Sequence, residues 1–302
     1  MMQLLPETLH LGSVHKQPII VDQQILQESF IHAQSIAQEL GLSEAESSVA
    51  AYWSLSDRVV QWQRIFSRID LSQAQQSSFV EVGSGLGLFV LLGKCLGIPI
   101  VGIESSSDRY QRSLRIAQAL TERNRQSATF INAVAEAIPL ASQSIDVVAS
   151  FHTFEHVADL NQSFQEIHRI LRPGGLLYTQ IPNYQSFYEA HYGIFTPLGL
   201  GKASTYRILQ FLGRPTGFLD HLQWLQPKLL EQALHQAGFR HVQISSIPRT
   251  KPELAQIELA DLPFRFRRGG YARRGARALA LLAERGLGSK LYYPNLEVWA
   301  EA

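Results

Sequence analysis

The residue types most suggestive of chemistry in this 302-residue sequence stand at Val80-Glu81-Val82-Gly83-Ser84-Gly85-Leu86-Gly87. An apolar run that enters closely spaced glycines reads as a strand feeding a tight turn, where the backbone can approach a ligand at the start of the next helix, near Leu88. Glu104 ends the following apolar run, about twenty residues on, where a carboxylate can accept hydrogen bonds from both hydroxyls of a ribose. Together they describe an adenosine site. A nicotinamide dinucleotide would require glycine at the sixth position of the turn, so that its pyrophosphate meets the helix N-terminus. Leu88 occupies that position, and the third glycine falls at Gly87. Glu81 would oppose a pyrophosphate and favours a cationic amino acid moiety. S-adenosylmethionine, which has no phosphate and carries an ammonium and a sulfonium, is the cofactor expected, held by Glu81, Gly83, Ser84, Gly85, Gly87, Glu104 and Ser105.

A second group lies in Phe151-His152-Thr153-Phe154-Glu155-His156, directly after a later apolar run. Imidazole titrates near neutral pH and can take a hydroxyl proton, which makes His152 the first candidate base and His156 the second. The competing reading is that the Glu-His pair anchors its loop. His-x-x-Glu-His departs from the helical zinc pattern, in which Glu follows the first His directly, so no metal is expected. Downstream, Tyr184, Phe187, Tyr188, His191, Tyr192 and Phe195 crowd a stretch with His221 and Trp224 beyond it. Tyr184, Tyr188, His221 and Trp224 are the expected substrate contacts; the plainer alternative is that these aromatics pack the segment onto the core.

The elements that must position these groups alternate. FVEVGSG, IPIVGIES, ATFINAV, SIDVVASFH and LLYTQIP read as strands. LFVLLGKCLG, DRYQRSLRIAQALTERN (capped near Ser107 or Asp108) and LNQSFQEIHRILRPGG read as helices between them. Strands joined by helices of this length pair in parallel through right-handed crossovers. With FRHVQIS and YPNLEVWAEA added, the expectation is an α/β, doubly wound, Rossmann-like, seven-stranded and mostly parallel sheet. Pro227 suits the first turn of a helix that ends at Gly238.

Around this core, residues 1–76 read as an N-terminal helical cap, with helices from Gln23 to about Leu40, from a Ser43/Glu46 capping box, and from Ser56 or Asp57. Residues 72–78 read as a linker, and the domain proper spans 77–302. Within it, 183–224 is the expected substrate lid, without an obvious regular pattern before YRILQFLG, and 249–292 an insertion ahead of the last strand. That insertion carries an arginine-rich run from Arg265 to Arg277. Such a run is an ordinary solvated surface or a peripheral contact with membrane headgroups.

A net charge of +1 leaves no global field to gather polyanions, so nucleic acid is not an expected partner, and 45% hydrophobic residues suffice for a real core. The single cysteine, Cys95, can form no intramolecular disulfide and reads as a small apolar helix residue. The first residues lack a secretory pattern and no apolar run reaches bilayer-spanning length, so a cytoplasmic, soluble chain is expected.

From about Phe79 to Ser246 the sequence resembles the class I S-adenosylmethionine-dependent methyltransferases, in particular the group that includes the ubiquinone and menaquinone methyltransferases. FVEVGSGLGLF is similar to the family's first motif, GIES to its ribose motif, AEAIPL to its adenine-side motif and SIDVVASFHTFEHV to its fourth-strand motif. LRPGGLLYTQIP and HLQWLQPKLLEQALHQAGF resemble later ones. The resemblance implies that Gly83, Gly85 and Gly87 line the methionine end, that Glu104 takes the ribose, that Ala135 and Glu136 border the adenine, and that Phe151 and His152 lie beneath the methyl group. Many relatives have an acidic residue before the alanine of the adenine-side motif, where this chain has Val134. Glu136 or Asn132 substitutes for it, or packing alone holds the adenine. The implied activity is methyl transfer to a small-molecule acceptor, with oxygen as the expected nucleophile. A catalytically silent methyltransferase-like binding protein and an RNA methyltransferase are the alternatives.

Overall fold

The computed structural model describes residues 6–42, 49, 51–106, 112–196, 201–247, 250–260, 270–287 and 292–302. The chain opens with a hairpin of β1 (Thr8–Val14) and β2 (Gln17–Asp22), joined by a two-residue turn in which His15 and Lys16 both have positive φ, 49° and 64°. That is the primed turn whose twist suits a hairpin. The segment 1–76, read as a helical cap, thus begins with two strands. α1 (Gln23–Glu39) follows, started by the Asp22 side chain accepting from the Ile25 amide at 2.9 Å. The Ser43/Glu46 cap lies outside the described residues. α2 (Leu55–Phe66) is capped by Ser54 rather than by Ser56 or Asp57. The stretch read as a linker contains α3 (Leu71–Gln76), nucleated by a reciprocal capping box between Asp70 and Gln73.

The alternation then proceeds as read, except that LRPGG, read as the end of a helix, opens the last of these strands: β3 (Phe79–Val82), α4 (Leu88–Cys95), β4 (Ile100–Glu104), α5 (Ser113–Arg123), β5 (Thr129–Asn132), β6 (Ile145–Phe151), α6 (Leu160–Ile170) and β7 (Leu171–Pro182). The Ser107/Asp108 cap expected for α5 falls outside the described residues. The 183–224 segment is more regular than its sequence suggests. It holds the short hairpin β8 (Tyr188–Glu189) and β9 (Ile194–Phe195), then α7 (Gly201–Phe211) and α8 (Gly217–Asp220). After it come α9 (Pro227–Gln236), with proline in its first turn, β10 (Arg240–Ser246), β11 (Ile257–Leu259), α10 (Gly270–Leu287) and β12 (Asn295–Glu301). Arg265, Arg267 and Arg268 lie outside the described residues; Arg274, on α10, is exposed.

Seven strands form one sheet in the order β10-β12-β7-β6-β3-β4-β5, parallel from β7 to β5, with β12 antiparallel to both its neighbours. This is the doubly wound, Rossmann-like sheet expected. Period-two alternation sends successive side chains to opposite faces. Val80, Val82 and Val148 join a cluster with Phe164 and Ile167 of α6 and Leu230 and Leu234 of α9. Phe79, Val147 and Phe151 join the opposite cluster with Trp62 of α2 and Phe89 of α4. The N-terminal segment is thus part of one face of the core. Arg64 of α2 holds the buried Glu297 of β12 through two hydrogen bonds, 3.0 and 2.6 Å. β11 pairs with β1, so the late insertion closes a three-stranded sheet with the N-terminal hairpin. Strand order reverses between β3 and β6, and the crevice between their carboxyl ends is where ligands bind such sheets. Among the described residues no helix is long and apolar enough to cross a membrane.

Candidate active site

A cavity of about 2130 Å³ opens at that crevice. Its floor is the turn after β3, in which Gly83 and Gly85 have φ of 73° and 52°. The two glycines serve different ends. A Cβ on Gly83 would lie 2.1 Å from Thr153 Oγ1, so this position lets the β3 and β6 loops touch. A Cβ on Gly85 would meet nothing within 4 Å, because that face is the open cavity. Gly87 is the left-handed N-cap of α4 and lies beside Ala117 and Phe130, outside the cavity lining.

Alternation puts Glu81 on the face of the sheet covered by the N-terminal helices, where it is 3% exposed and lines the cavity. Its Oε2 has no hydrogen-bond partner, and neither has the buried Ser84 Oγ beside it. Burial raises the Glu81 carboxyl well above the usual range; Arg58 of α2 pulls it back and Glu104 pushes it further up. An orphaned buried carboxylate in a cavity wall is a site built for a cation. Glu104 ends β4 with its Oε2 accepting the Gly85 amide at 2.7 Å, and burial lifts its carboxyl to about 7 against the lowering effect of that bond. One carboxylate for an ammonium and another for a ribose is the donor set that S-adenosylmethionine needs, so the residues fit it.

Ser105, Ala135, Glu136 and Phe151 also line the cavity. Glu136 Oε1 accepts the amides of Ala158 and Asp159 at 2.6 and 3.1 Å, and Asn132 Oδ1 accepts that of Ser106 at 3.0 Å. Both proposed stand-ins for an acidic adenine partner are therefore engaged in tying loops together. Phe151 packs edge-on to Phe89 and Tyr178, with centroids 4.8 and 5.8 Å away.

His152 has φ of 55°, a left-handed conformation uncommon for a non-glycine residue and concentrated at functional sites. Its amide donates to Gln180 O at 2.8 Å, and its ring, 46% exposed, places Nδ1 3.8 Å from Glu155 Oε1. His156 Nε2 lies 3.9 Å from the same oxygen. Glu155 is buried, and burial raises its carboxyl to about 7. Of the expected substrate contacts, Tyr188 and His221 line the cavity. Tyr184 and Trp224 instead stack on each other at 4.2 Å behind the lining, with the Tyr184 hydroxyl 3.5 Å from His191 Nδ1. Arg58 and Glu189 are the site residues sequence reasoning missed. Neither sits in a motif, and only tertiary packing brings them here.

With Glu81 and Glu104 as the cofactor's carboxylates, binding is expected to depend on pH. Glu104 has a folded value above its unfolded one, so its contribution destabilises the unliganded fold as pH rises from about 4.5 to 7 and is constant above that. A ribose or a cation favours the ionised carboxylates, so binding releases protons. Affinity for S-adenosylmethionine is expected to rise about tenfold from pH 6 to 8, most steeply below 7. Glu104→Gln should flatten the profile. Calorimetry in buffers of different ionisation enthalpy measures the released protons, and pH-independent binding would contradict the assignment.

Two buried carboxylates, Glu81 and Glu104, thus line the cavity at the switch point of an open, mostly parallel α/β sheet. Residues 80–179 match the family described as methyltransferase domain. Over 99 residues it is 34% identical to an uncharacterized methyltransferase of Mycolicibacterium vanbaalenii, covering 33% of this chain and 36% of that protein. Over 166 residues it is 24% identical to a ubiquinone biosynthesis O-methyltransferase of Bartonella tribocorum, covering 55% and 61%. A solved S-adenosylmethionine-dependent methyltransferase from Archaeoglobus fulgidus is similar at a TM-score of 0.48 and 17% identity, covering 82% of this chain and 94% of that one. The chain spans between about a third and three-fifths of the length of these two curated relatives.

Proposed function

We propose that this chain transfers a methyl group from S-adenosylmethionine to an oxygen of a small apolar or aromatic acceptor. The observation that carries the reading is the orphaned Glu81 carboxylate beside Glu104 in a cavity of about 2130 Å³. Ligand pockets commonly measure about 300–1,000 Å³, so there is room for cofactor and acceptor together. The similarity to a ubiquinone biosynthesis O-methyltransferase supports oxygen as the acceptor atom.

When bound, the cofactor supplies a methyl group on a sulfonium: the O–CH₃ bond forms as the S–CH₃ bond breaks, and the S–C electron pair stays on sulfur. The protein's task is therefore alignment and exclusion of water. Glu81 anchors the ammonium, Glu104 the ribose, and the open face of Gly85 lets the ligand lie against the backbone. Phe151, fixed by two edge-on aromatic contacts, would pack against the bound cofactor from the cavity wall. Tyr188 and His221, from the lid, wall the acceptor side. His152, aimed by its positive φ and steered by Glu155, takes the acceptor hydroxyl proton onto a ring nitrogen. The acceptor is a small molecule, and the protein acts without a covalent intermediate.

His152→Ala tests the base. Turnover is expected to fall by about 10²–10⁴ while cofactor affinity holds. Unchanged turnover demotes His152 to a loop residue, and tight cofactor binding with no transfer to any acceptor from cell extract favours a binding protein instead.

A further inference from the structure

The lid hairpin brings a second histidine against the Glu155–His156 pair. β8 ends at Glu189, and two residues later the ring of His191 stands nearly perpendicular to that of His156, centroids 5.2 Å apart. The ligand atoms offered by Glu155, His156 and His191 all lie within 4.8 Å of one another. Glu155 is 1% exposed, yet its Oε2 has no hydrogen-bond partner. A buried carboxylate with an oxygen lacking a donor, clustered with two imidazoles, is the second mark of a cation site.

Glu189 is already committed. One of its oxygens lies 2.8 Å from His191 Nδ1 and the other accepts the Tyr192 amide at 2.6 Å. With Nδ1 protonated towards Glu189, the lone pair of the His191 ring sits on Nε2. A carboxylate behind an imidazole in this way fixes the tautomer and orientation of a metal-ligating histidine. Sequence spacing argued against a metal because the helical zinc pattern is absent. These three residues come instead from the loop after β6 and from the lid, so that argument does not bear on them.

We infer that Glu155, His156 and His191 bind one divalent transition-metal ion of the zinc type, with Glu189 as the residue that positions His191. Two imidazoles and one carboxylate suit such an ion and leave an open position. Tetrahedral zinc ligands at about 2.0–2.1 Å from the metal lie roughly 3.3 Å from one another, so the three side chains, now within 4.8 Å, close by at most about 1.5 Å on binding. All three line the cavity, where the open position is available to an acceptor oxygen. That last role rests on the methyl-transfer reading; the metal site does not.

The test is titration of the chelator-stripped full-length protein with Co²⁺, read by its visible absorption, and with Zn²⁺ by calorimetry. One equivalent should bind, with the strong visible bands of a low-symmetry site. His191→Ala and Glu155→Gln should abolish it. Glu189→Gln, which leaves all three ligands in place, should weaken Zn²⁺ binding by about 10–100-fold. No stoichiometric binding to the wild type, or binding untouched in all three variants, overturns the site. S-adenosylhomocysteine binding without metal binding overturns this inference alone, whereas metal binding without S-adenosylhomocysteine binding sustains it and overturns the cofactor reading.

Discussion

Trp62→Ala is expected to lower the stability of the whole domain by about 3–5 kcal/mol, the usual cost of removing a large buried aromatic. Trp62 belongs to α2, in the N-terminal segment, but its ring is fully buried and stacks on Phe89 of α4 at 4.4 Å and 2°. It also contacts Phe79 of β3 and Phe66 of its own helix, at 5.5 and 5.6 Å, and its Nε1 donates to Phe89 O at 3.3 Å. A Cβ on Gly93 would lie 2.7 Å from the indole, so the α4 backbone is fitted to this ring. Truncation would leave a void between α2 and α4 and remove the Nε1 bond to the Phe89 carbonyl. A fall in melting temperature of roughly 10 °C in differential scanning calorimetry follows from that cost. A fall of under about 2 °C, the size of a surface change, would mean that α2 does not belong to the core.

The second large effect separates binding from folding. Glu104→Ala is expected to weaken S-adenosylhomocysteine binding about a hundredfold, since hydrogen bonds to a charged group contribute about 1.5–3 kcal/mol each and 1.4 kcal/mol is tenfold. The Gly85 amide also loses its carboxylate, so the turn is held less firmly. The unliganded protein should nevertheless melt no lower at pH 8, because the carboxyl removed is one that burial makes costly to ionise. Calorimetric titration beside thermal melts reads both. Equal losses in affinity and stability would make Glu104 a structural residue, and an affinity change below about threefold would remove the ribose from this position.

The parts of the molecule legible in the sequence are those whose signals are local. β3 to β7 and the helices between them follow from apolar runs alternating with helical periodicity, and Glu81 and Glu104 follow from their positions on either side of a glycine turn. The β1–β2 hairpin was illegible because its primed turn is made by His15 and Lys16, which carry none of the glycine or asparagine that usually marks one. α3 hid in a polar stretch because its start depends on reciprocal side-chain bonds between Asp70 and Gln73 and its burial on a single alanine, Ala74. Glu136 was read as a candidate adenine partner from its neighbourhood, but its reach to the Ala158 and Asp159 amides depends on where the loop before α6 lies. The convergence of His191 and Glu189 on Glu155 is a long-range fact of the same kind, set by how the segment 183–224 packs on the sheet and carried by no spacing in the chain.

The central claim is that Glu81, Gly85 and Glu104 form an S-adenosylmethionine site. Calorimetric titration of the purified full-length chain with S-adenosylmethionine, S-adenosylhomocysteine and NAD⁺ tests it most directly. The account predicts one site for each sulfur nucleoside, loss of affinity in Glu104→Ala, and no heat from NAD⁺. Binding of NAD⁺, or of neither sulfur nucleoside, would contradict it.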